Sequence, residues 1–378
     1  MLFGQPVLHE RELSVIARIE ELRKQLRFQT FEPRRWMGSL RRLSLARAVQ
    51  ASNSIEGFRA SLEDVAAAMA GDEPLDADHA TTLALRGYQE AMTYVLQLAG
   101  EADFEYSTQL LKSLHYMMTN YDLANRPGLY RAGTIYVRNE GSGEVVYEGP
   151  DIELIPGLMH ELESSLNETG EAPALVRAAM AHLNLAMIHP FLDGNGRMAR
   201  CLQTLVLARE GILAPQFCSV EEYLGRNTED YYDVLAEVGG GRWHPEHDAR
   251  VWLRFMLTAH LLQARTLLRR VQESGRLWSE LETLAERLGV PERTIPAMFD
   301  ASLGMRVRNA TYRSVTEEAI SDQMASRDLR LLVDRGILEP HGERRGRIYT
   351  GTETITSLWK SIREKRGGQD LSDPFRTS

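Results

Sequence analysis

The stretch "IHPFLDGNGRMAR" (Ile188–Arg200) carries two contradictory local signals. Asp193-Gly194 and Asn195-Gly196 are dipeptides that mark tight hairpin turns. Arg197-Met198-Ala199-Arg200 nevertheless runs unbroken into "CLQTLVLARE", which lacks strand alternation and reads as a buried helix. Gly194, Asn195 and Gly196 directly before a helix leave its first backbone N–H groups bare at the positive end of the dipole, where an anion can sit. Without a Cβ, the two glycines let phosphate oxygens approach the main chain. Arg197 and Arg200 add planar cations that fork onto phosphates. Asp193 offers a hard oxygen ligand suited to Mg²⁺ on a polyphosphate. His189 is the one group here that titrates near neutrality, so it could take a proton from an attacking hydroxyl. Each residue alone has a plainer reading, such as a His-Pro helix end or an ordinary loop. Together, within twelve residues, they describe a nucleotidyl or phosphoryl transfer site.

The rest of the chain sets the context. A length of 378 residues implies two or three domains, and 43% apolar residues can build real cores. A net charge of −9 and a pI near 5.7 argue against a surface that grips nucleic acid or anionic membrane throughout, while leaving room for a local basic patch. Two cysteines, Cys201 and Cys218, both in apolar surroundings, make a disulfide framework improbable and fit a reducing compartment. The N-terminus lacks the order of a signal peptide, and no run of 18 apolar residues occurs. The expectation is a cytoplasmic protein with no membrane partner.

Helical patterns dominate. "RELSVIARIEELRKQLRF" is amphipathic, with Leu13, Ile16, Ile19 and Leu22 on one side, and "SLRRLSLARAVQASNSIEG" stops at Gly57. Ser61 precedes Asp64 by three residues, close to a capping box, and opens a helix that closes at Gly71. Thr134–Gly149, "TIYVRNEGSGEVVYEG", is different: two β-branched and aromatic runs flank a Gly-Ser-Gly turn, the composition of a β-hairpin. Helices resume, and "APALVRAAMAHLNLAMIH" ends where Pro190 forbids continuation. From about residue 276, past a boundary near Gly275, a short helix "ELETLAERLG", a second helix and the strand-turn-strand "EPHGERRGRIYTG" suggest a winged-helix module.

"HPFLDGNGRMAR" resembles the signature of the Fic domain family, His-x-Phe-x-Asp/Glu-Gly-Asn-Gly-Arg-x-x-Arg, with every family position filled. The resemblance runs from about Ser107 to Leu268 and takes in "PGLYR", the hairpin and "GRNTEDYYDVL". It implies a mainly α fold: a helical Fic core with a small β-hairpin flap, followed by a C-terminal winged-helix domain. It also implies a protein adenylyltransferase moving AMP from ATP to a Ser, Thr or Tyr hydroxyl and releasing pyrophosphate. By the resemblance, His189 is the base, Phe191 a core anchor and Asp193 the Mg²⁺ ligand. Gly194, Asn195 and Gly196 form the anion hole, and Arg197 and Arg200 bind the β- and γ-phosphates. Asn227 and Tyr231 sit where the family contacts adenosine. Thr134, Ile135, Tyr136 and Val137 belong to the flap that pins a target segment by strand addition.

The helix end "SNSIEG" (Ser52–Gly57) fits the family's inhibitory pattern, Ser/Thr-x-x-x-Glu-Gly/Asn, in the subclass whose inhibitor precedes the core. The resemblance implies that Ser52 and Glu56 belong to this helix and that Glu56 pairs with Arg200, removing the γ-phosphate's cation. The plainer reading is a solvated glutamate in a last helical turn. The expected organisation is 1–105 helical with the inhibitory motif at 52–57, 106–270 the catalytic core, 276–350 winged-helix-like and 351–378 a flexible tail. Ser326–Arg330 would open the recognition helix and His341–Arg347 form the wing, although the module's charge is too balanced for a strong DNA binder. Expected partners are a hydroxyl-bearing protein, the chain itself included, and a second copy in a homodimer, with DNA not favoured. The alternatives are a transcriptional regulator whose Fic core senses nucleotide, or a phosphorylating or deAMPylating enzyme of the same fold.

Overall fold

The computed structural model describes residues 1–31, 35–138, 145–168, 170–211, 217–316, 319–342, 347–368 and 372–376. The chain is mainly helical. In order it forms α1 (Glu10–Phe31), α2 (Met37–Ile55), α3 (Leu62–Met69), α4 (His79–Leu98), α5 (Thr108–Thr119), β1 (Tyr136–Arg138), β2 (Val145–Glu148), α6 (Ile155–Asn167), α7 (Ala174–Ile188), α8 (Asn195–Arg209), α9 (Glu221–Arg226), α10 (Thr228–Gly239) and α11 (Arg250–Leu288). It continues with α12 (Ile295–Ser302), α13 (Asn309–Val315), α14 (Asp322–Asp334), β3 (Leu338–His341), β4 (Ile348–Gly351) and α15 (Glu353–Glu364). Two compact units result: Met1–Lys24 with Leu45–Arg265 and Ser372–Ser378, and Gln25–Ser44 with Thr266–Leu371.

The first unit is built around α7 and α8. Every residue of α7 from Ala178 to Ile188 is buried, as is every residue of α8 from Arg197 to Ala208. A helix buried on all sides must pair its polar members, and Arg197, Arg200 and Gln203 find Asp193, Ser52 and His182. Trp252 closes over α7, donating its indole N–H to the Ala179 carbonyl at 2.8 Å. The capping expected at Ser61 is present, with its hydroxyl accepting the Asp64 N–H at 3.0 Å. On α1 the inward face is Val15, Ile16, Ile19 and Leu26, while Leu13 stands exposed. Glu12 takes an inward place because Arg254 pairs with it at 2.7 Å.

The hairpin forms with antiparallel pairing and a bulge between Val137 and Arg138; residues 139–144 of the expected turn lie outside the described residues. Its base is tied by Arg131, which is almost fully buried. Arg131 donates from Nε to the His189 carbonyl (2.9 Å), from Nη1 to Gly133 (2.7 Å) and from Nη2 to Pro150. β2 lies between β1 and Arg242, so β1 is the outer edge.

In the second unit, α12, buried at every residue, is followed by α13, α14 and the β3–β4 hairpin. Several boundaries depart from the sequence expectation. "ELETLAERLG" is the end of α11, which passes through Gly275 without a break and stops at Gly289, where φ is +63°. One glycine costs a long helix only about 1 kcal/mol. Ser326–Arg330 lies inside α14, because Ser321 is the residue that caps it, accepting the Met324 N–H at 3.2 Å. Of the expected wing, residues 343–346 lie outside the described residues. The tail expected to be flexible from 351 instead contains α15, anchored by buried Ile355. Further on, Asp373 accepts from Thr258 at 3.1 Å, and the Phe375 ring packs under Arg11 and Arg254. The hydrogen bond to Thr258 and the two cation–π contacts hold this polar segment in place. Among the described residues, no helix is long and apolar enough to cross a membrane.

Candidate active site

The site forms where α7 stops and α8 starts. His189 caps α7 in the left-handed region at φ +48°, and Pro190 cannot continue the helix. The His189 Nδ1–H donates to the Ala186 carbonyl at 3.0 Å, which leaves the Nε2 lone pair as the acceptor. Burial lowers its pKa, outweighing the Ala186 bond and the Glu56 charge that raise it, so the ring is held neutral and able to take a proton.

The loop from 190 to 194 is shaped from beneath. Asn195 exchanges two hydrogen bonds of 2.9 Å with the Phe191 backbone, side-chain oxygen to N–H and side-chain nitrogen to C=O. Its side chain is thus spent on loop closure, and only its amide is left for an anion. Phe191 is fully buried and stacks on His115, with ring centroids 3.8 Å apart and planes 4° from parallel. His115 accepts the Gly128 N–H at Nδ1 (2.8 Å) and donates from Nε2 to the Asp193 carbonyl (2.8 Å). Burial pushes its pKa down to about 4, so it serves as a neutral spacer. Nothing local to His115 in the sequence signals this role.

Gly194 sits at φ +76°, where a Cβ would come within 2.9 Å of Thr119. The first helical bond of α8 runs from the Met198 N–H to the Gly194 carbonyl at 2.9 Å. The amides of Asn195, Gly196 and Arg197 therefore face out of the helix start. Arg197 is fully buried, donates to Asp193 Oδ2 and Tyr121 (both 3.1 Å) and lies under the Phe58 ring.

Arg200 is 1% exposed. Its Nε donates to the Ser52 hydroxyl at 2.8 Å, and its Nη2 to the Ser52 carbonyl at 2.9 Å and to Glu56 Oε1 at 2.7 Å. Its Nη1 is buried without a partner among the described residues. A Cβ at Gly196 would overlap the Glu56 carboxylate and lie 3.1 Å from that same Nη1. Glu56 thus rests on the bare backbone where an anionic ligand would lie. Burial opposes its charge, but Arg200 and then Arg197 overcome this and hold its pKa below the usual range. Local chemistry aims it: Gly57, at φ +85°, ends α2, with Phe58 N–H bonded to Asn53 and Gly57 N–H to Ser54, a Schellman arrangement.

Tyr231 is not brought to the open face, while Asn227 is half-buried. Asn227 lies between α9 and α10, with its side chain on the Tyr223 carbonyl at 2.8 Å. Tyr231 is buried behind Arg200 with its hydroxyl 2.9 Å from His182 Nε2. One residue further round α10, Tyr232 is 43% exposed and its hydroxyl approaches the Ile55 carbonyl at 3.4 Å. The helical rotation of about 100° per residue makes Tyr232 the ring that faces outward. A second group, His244, Glu246 and His247, has ligand atoms within 4.8 Å of one another. The two imidazoles stack at 4.8 Å and 18° from parallel, so their lone pairs run side by side instead of converging.

Residues 105–207 match the model of the Fic/DOC family, so the first unit carries a Fic/DOC domain. A protein adenylyltransferase Fic of Nematostella vectensis is 26% identical over 179 residues, 45% of this chain and 36% of the relative. The corresponding protein of Aedes aegypti is 31% identical over 174 residues, covering 45% and 31%. Caenorhabditis elegans fic-1 is 34% identical over 86 residues, covering 22% and 17%. The matches thus span about a third or less of these curated relatives. Among solved structures, a Fic family protein from Desulfovibrio desulfuricans G20 superposes with a TM-score of 0.59 at 23% identity, covering 92% of this chain and 98% of that one. C. elegans Fic-1 (residues 134–508) gives 0.57 at 19%, covering 69% and 73%. Both likenesses are of fold.

Proposed function

We propose that this chain is a protein adenylyltransferase held inactive by Glu56. The observation that carries the reading is the Glu56 carboxylate lying on the Gly196 backbone and Arg200, a built-in anion in a phosphate seat. With Glu56 withdrawn, the α8 amides, Arg197 and the unpartnered Nη1 of Arg200 offer hydrogen bonds to the β- and γ-phosphates of ATP. The target hydroxyl oxygen attacks the α-phosphorus, His189 Nε2 takes its proton, and the bond to pyrophosphate breaks.

Asp193 is the residue that would hold Mg²⁺. Its carboxylate is 40% exposed and pairs with Arg197 through Oδ2, so the donor is of the right chemistry and within reach. Bound there, Mg²⁺ would neutralise charge on the departing pyrophosphate. The outer edge of β1, with Thr134, Ile135, Tyr136 and Val137 at or beside it, suits main-chain addition of a target strand, which is tolerant of target sequence. The second unit is assigned a winged-helix role in packing or target recruitment, with DNA the less favoured ligand.

Incubation with α-labelled ATP, followed by mass spectrometry, tests the reading. Label is expected on protein hydroxyls, more in Glu56→Gly than in wild type and none in His189→Ala. Absence of protein-bound AMP from Glu56→Gly would overturn it.

A further inference from the structure

A helix leaves its last carbonyls without intrahelical donors, and at the end of α7 several of them are met from outside. His189 covers two itself, its N–H reaching Leu185 at 3.1 Å and its Nδ1–H reaching Ala186 at 3.0 Å. Tyr147 of β2, buried, donates its hydroxyl to the Met187 carbonyl at 2.7 Å. Arg131, also buried, donates from Nε to the His189 carbonyl and from its backbone N–H to the Pro190 carbonyl, both at 2.9 Å. The same guanidinium reaches the carbonyls of Gly133 and Pro150, the residues on either side of Thr134–Gly149. The hairpin thus serves as the C-terminal cap of the helix that carries the base.

A buried guanidinium is costly unless it is hydrogen-bonded, and the negative end of a helix dipole favours a cation there. Arg131 meets both conditions with carbonyls at the α7 terminus and at the two feet of the hairpin. The packing leaves no slack around these ties. A Cβ at Gly149 would come 3.1 Å from Arg131 Nη2 and 2.8 Å from Ile135, and one at Gly239 would come 2.7 Å from Met187 and 3.1 Å from the Tyr147 ring. The turn that is gripped is a strained one. Among the described residues only Arg126 and His189 hold a positive φ without being glycine, and such a conformation persists only where its surroundings fix it.

We propose that Tyr147 and Arg131 are positioning residues for His189: they clamp the hairpin to the turn that carries the base, so that a target strand on the β1 edge and the Nε2 that takes its proton share one fixed frame. The clamp rests on the transferase reading and deepens it. Tyr147 stands opposite Val137 of β1 in the hairpin register, and the carbonyl it holds lies two residues before His189. A strand added to β1 is therefore linked to the base through one strand pair and one side-chain hydrogen bond. The ties of Tyr147 and Arg131 go to the α7 end and the hairpin feet, so the phosphate seat at the start of α8 stands apart from them. Separations of 58 residues from Arg131 to His189 and 40 from Tyr147 to Met187 hide the arrangement from any local pattern.

The test is Tyr147→Phe in the full chain carrying Glu56→Gly, with self-labelling by α-labelled ATP followed over a range of ATP concentrations. The substitution removes one hydroxyl and keeps the ring. The clamp requires the maximal labelling rate to fall about three- to tenfold, the scale of one hydrogen bond. It also requires the half-saturating ATP concentration, and ATP affinity by calorimetry, to stay within about twofold, because the phosphate seat is untouched. A merely structural role would loosen the core under α8 and weaken ATP binding together with the rate, and that result overturns the clamp. If Tyr147→Phe does not fold, Arg131→Lys keeps the charge but loses the fork, and the same split between rate and affinity is required of it. Labelling by Glu56→Gly with an unchanged rate in Tyr147→Phe defeats the clamp alone. No labelling by Glu56→Gly defeats the transferase reading and the clamp with it.

Discussion

Replacing Glu56 is the most informative perturbation, because on the proposed function one carboxylate occupies both the cation and the backbone seat that a nucleotide would need. Its bond to Arg200 Nη2, at 2.7 Å with the guanidinium buried, is charge-assisted. Such bonds contribute about 1.5–3 kcal/mol net. With about 1.4 kcal/mol per tenfold change, Glu56→Gly is expected to raise the rate of AMP transfer by about 10- to 100-fold. The Glu56 side chain retains 21% exposure, which lets water screen the pair, so the lower half of that range is the better expectation. Glu56→Gln separates charge from bulk: its side-chain oxygen can still accept from Arg200, but it no longer repels phosphate. The expected order is Glu56→Gly above Glu56→Gln above wild type. The assay is initial rate of protein labelling from α-labelled ATP, paired with calorimetric binding of ATP and AMP. Affinity should rise for ATP, whose terminal phosphates meet Arg200, and stay unchanged for AMP. Equal gains for both nucleotides, or equal labelling by all three proteins, would refute the competition for Arg200.

Three further outcomes follow from the same geometry. His189→Ala should abolish transfer in the Glu56→Gly background while ATP affinity stays within about twofold, since Nε2 acts on the hydroxyl and not on the phosphates; undiminished labelling would remove His189 as base. Gly196→Ala places a Cβ against Arg200 Nη1 and in the anion seat, so ATP affinity in the Glu56→Gly background should fall at least about tenfold by calorimetry; unchanged affinity would put the phosphates elsewhere. Stability should fall as pH drops below about 6.5, because burial lowers the pKa of His115 to about 4 and those of His182 and His260 to about 3. A histidine whose folded pKa is depressed binds its proton more readily when unfolded, so its loss of stability begins near the unfolded value of about 6.5 and continues down to the folded one. Urea midpoints at pH 7.5 and 5.5 check this, and a higher midpoint at pH 5.5 would contradict it.

The candidate site at His189–Arg200 was legible from residue types and spacing because most of its parts lie on one loop and the first turns of one helix. The hairpin and the helical bulk were legible for the same reason, as they follow from local periodicity. Tyr231 shows where that kind of inference ends. Two adjacent tyrosines carry the same local signal, and only the rotation of α10 against its neighbours turns Tyr231 into the core and Tyr232 outward. The tail departs from expectation for a similar reason, because α15 is anchored by buried Ile355 and Phe375 lies under Arg11 and Arg254, residues distant in the chain.

By itself, the amino-acid sequence determined the helical class and marked a glycine-bare helix start with His189 beside it, since each is local in the chain. It also marked Glu56 as a candidate, through a short pattern at a helix end. Tertiary structure decided that Glu56 and Ser52 meet Arg200 across 144 and 148 residues and that Phe191 stacks on His115. Helix periodicity says which face a residue takes, but which partner waits on that face is set by how the helices pack.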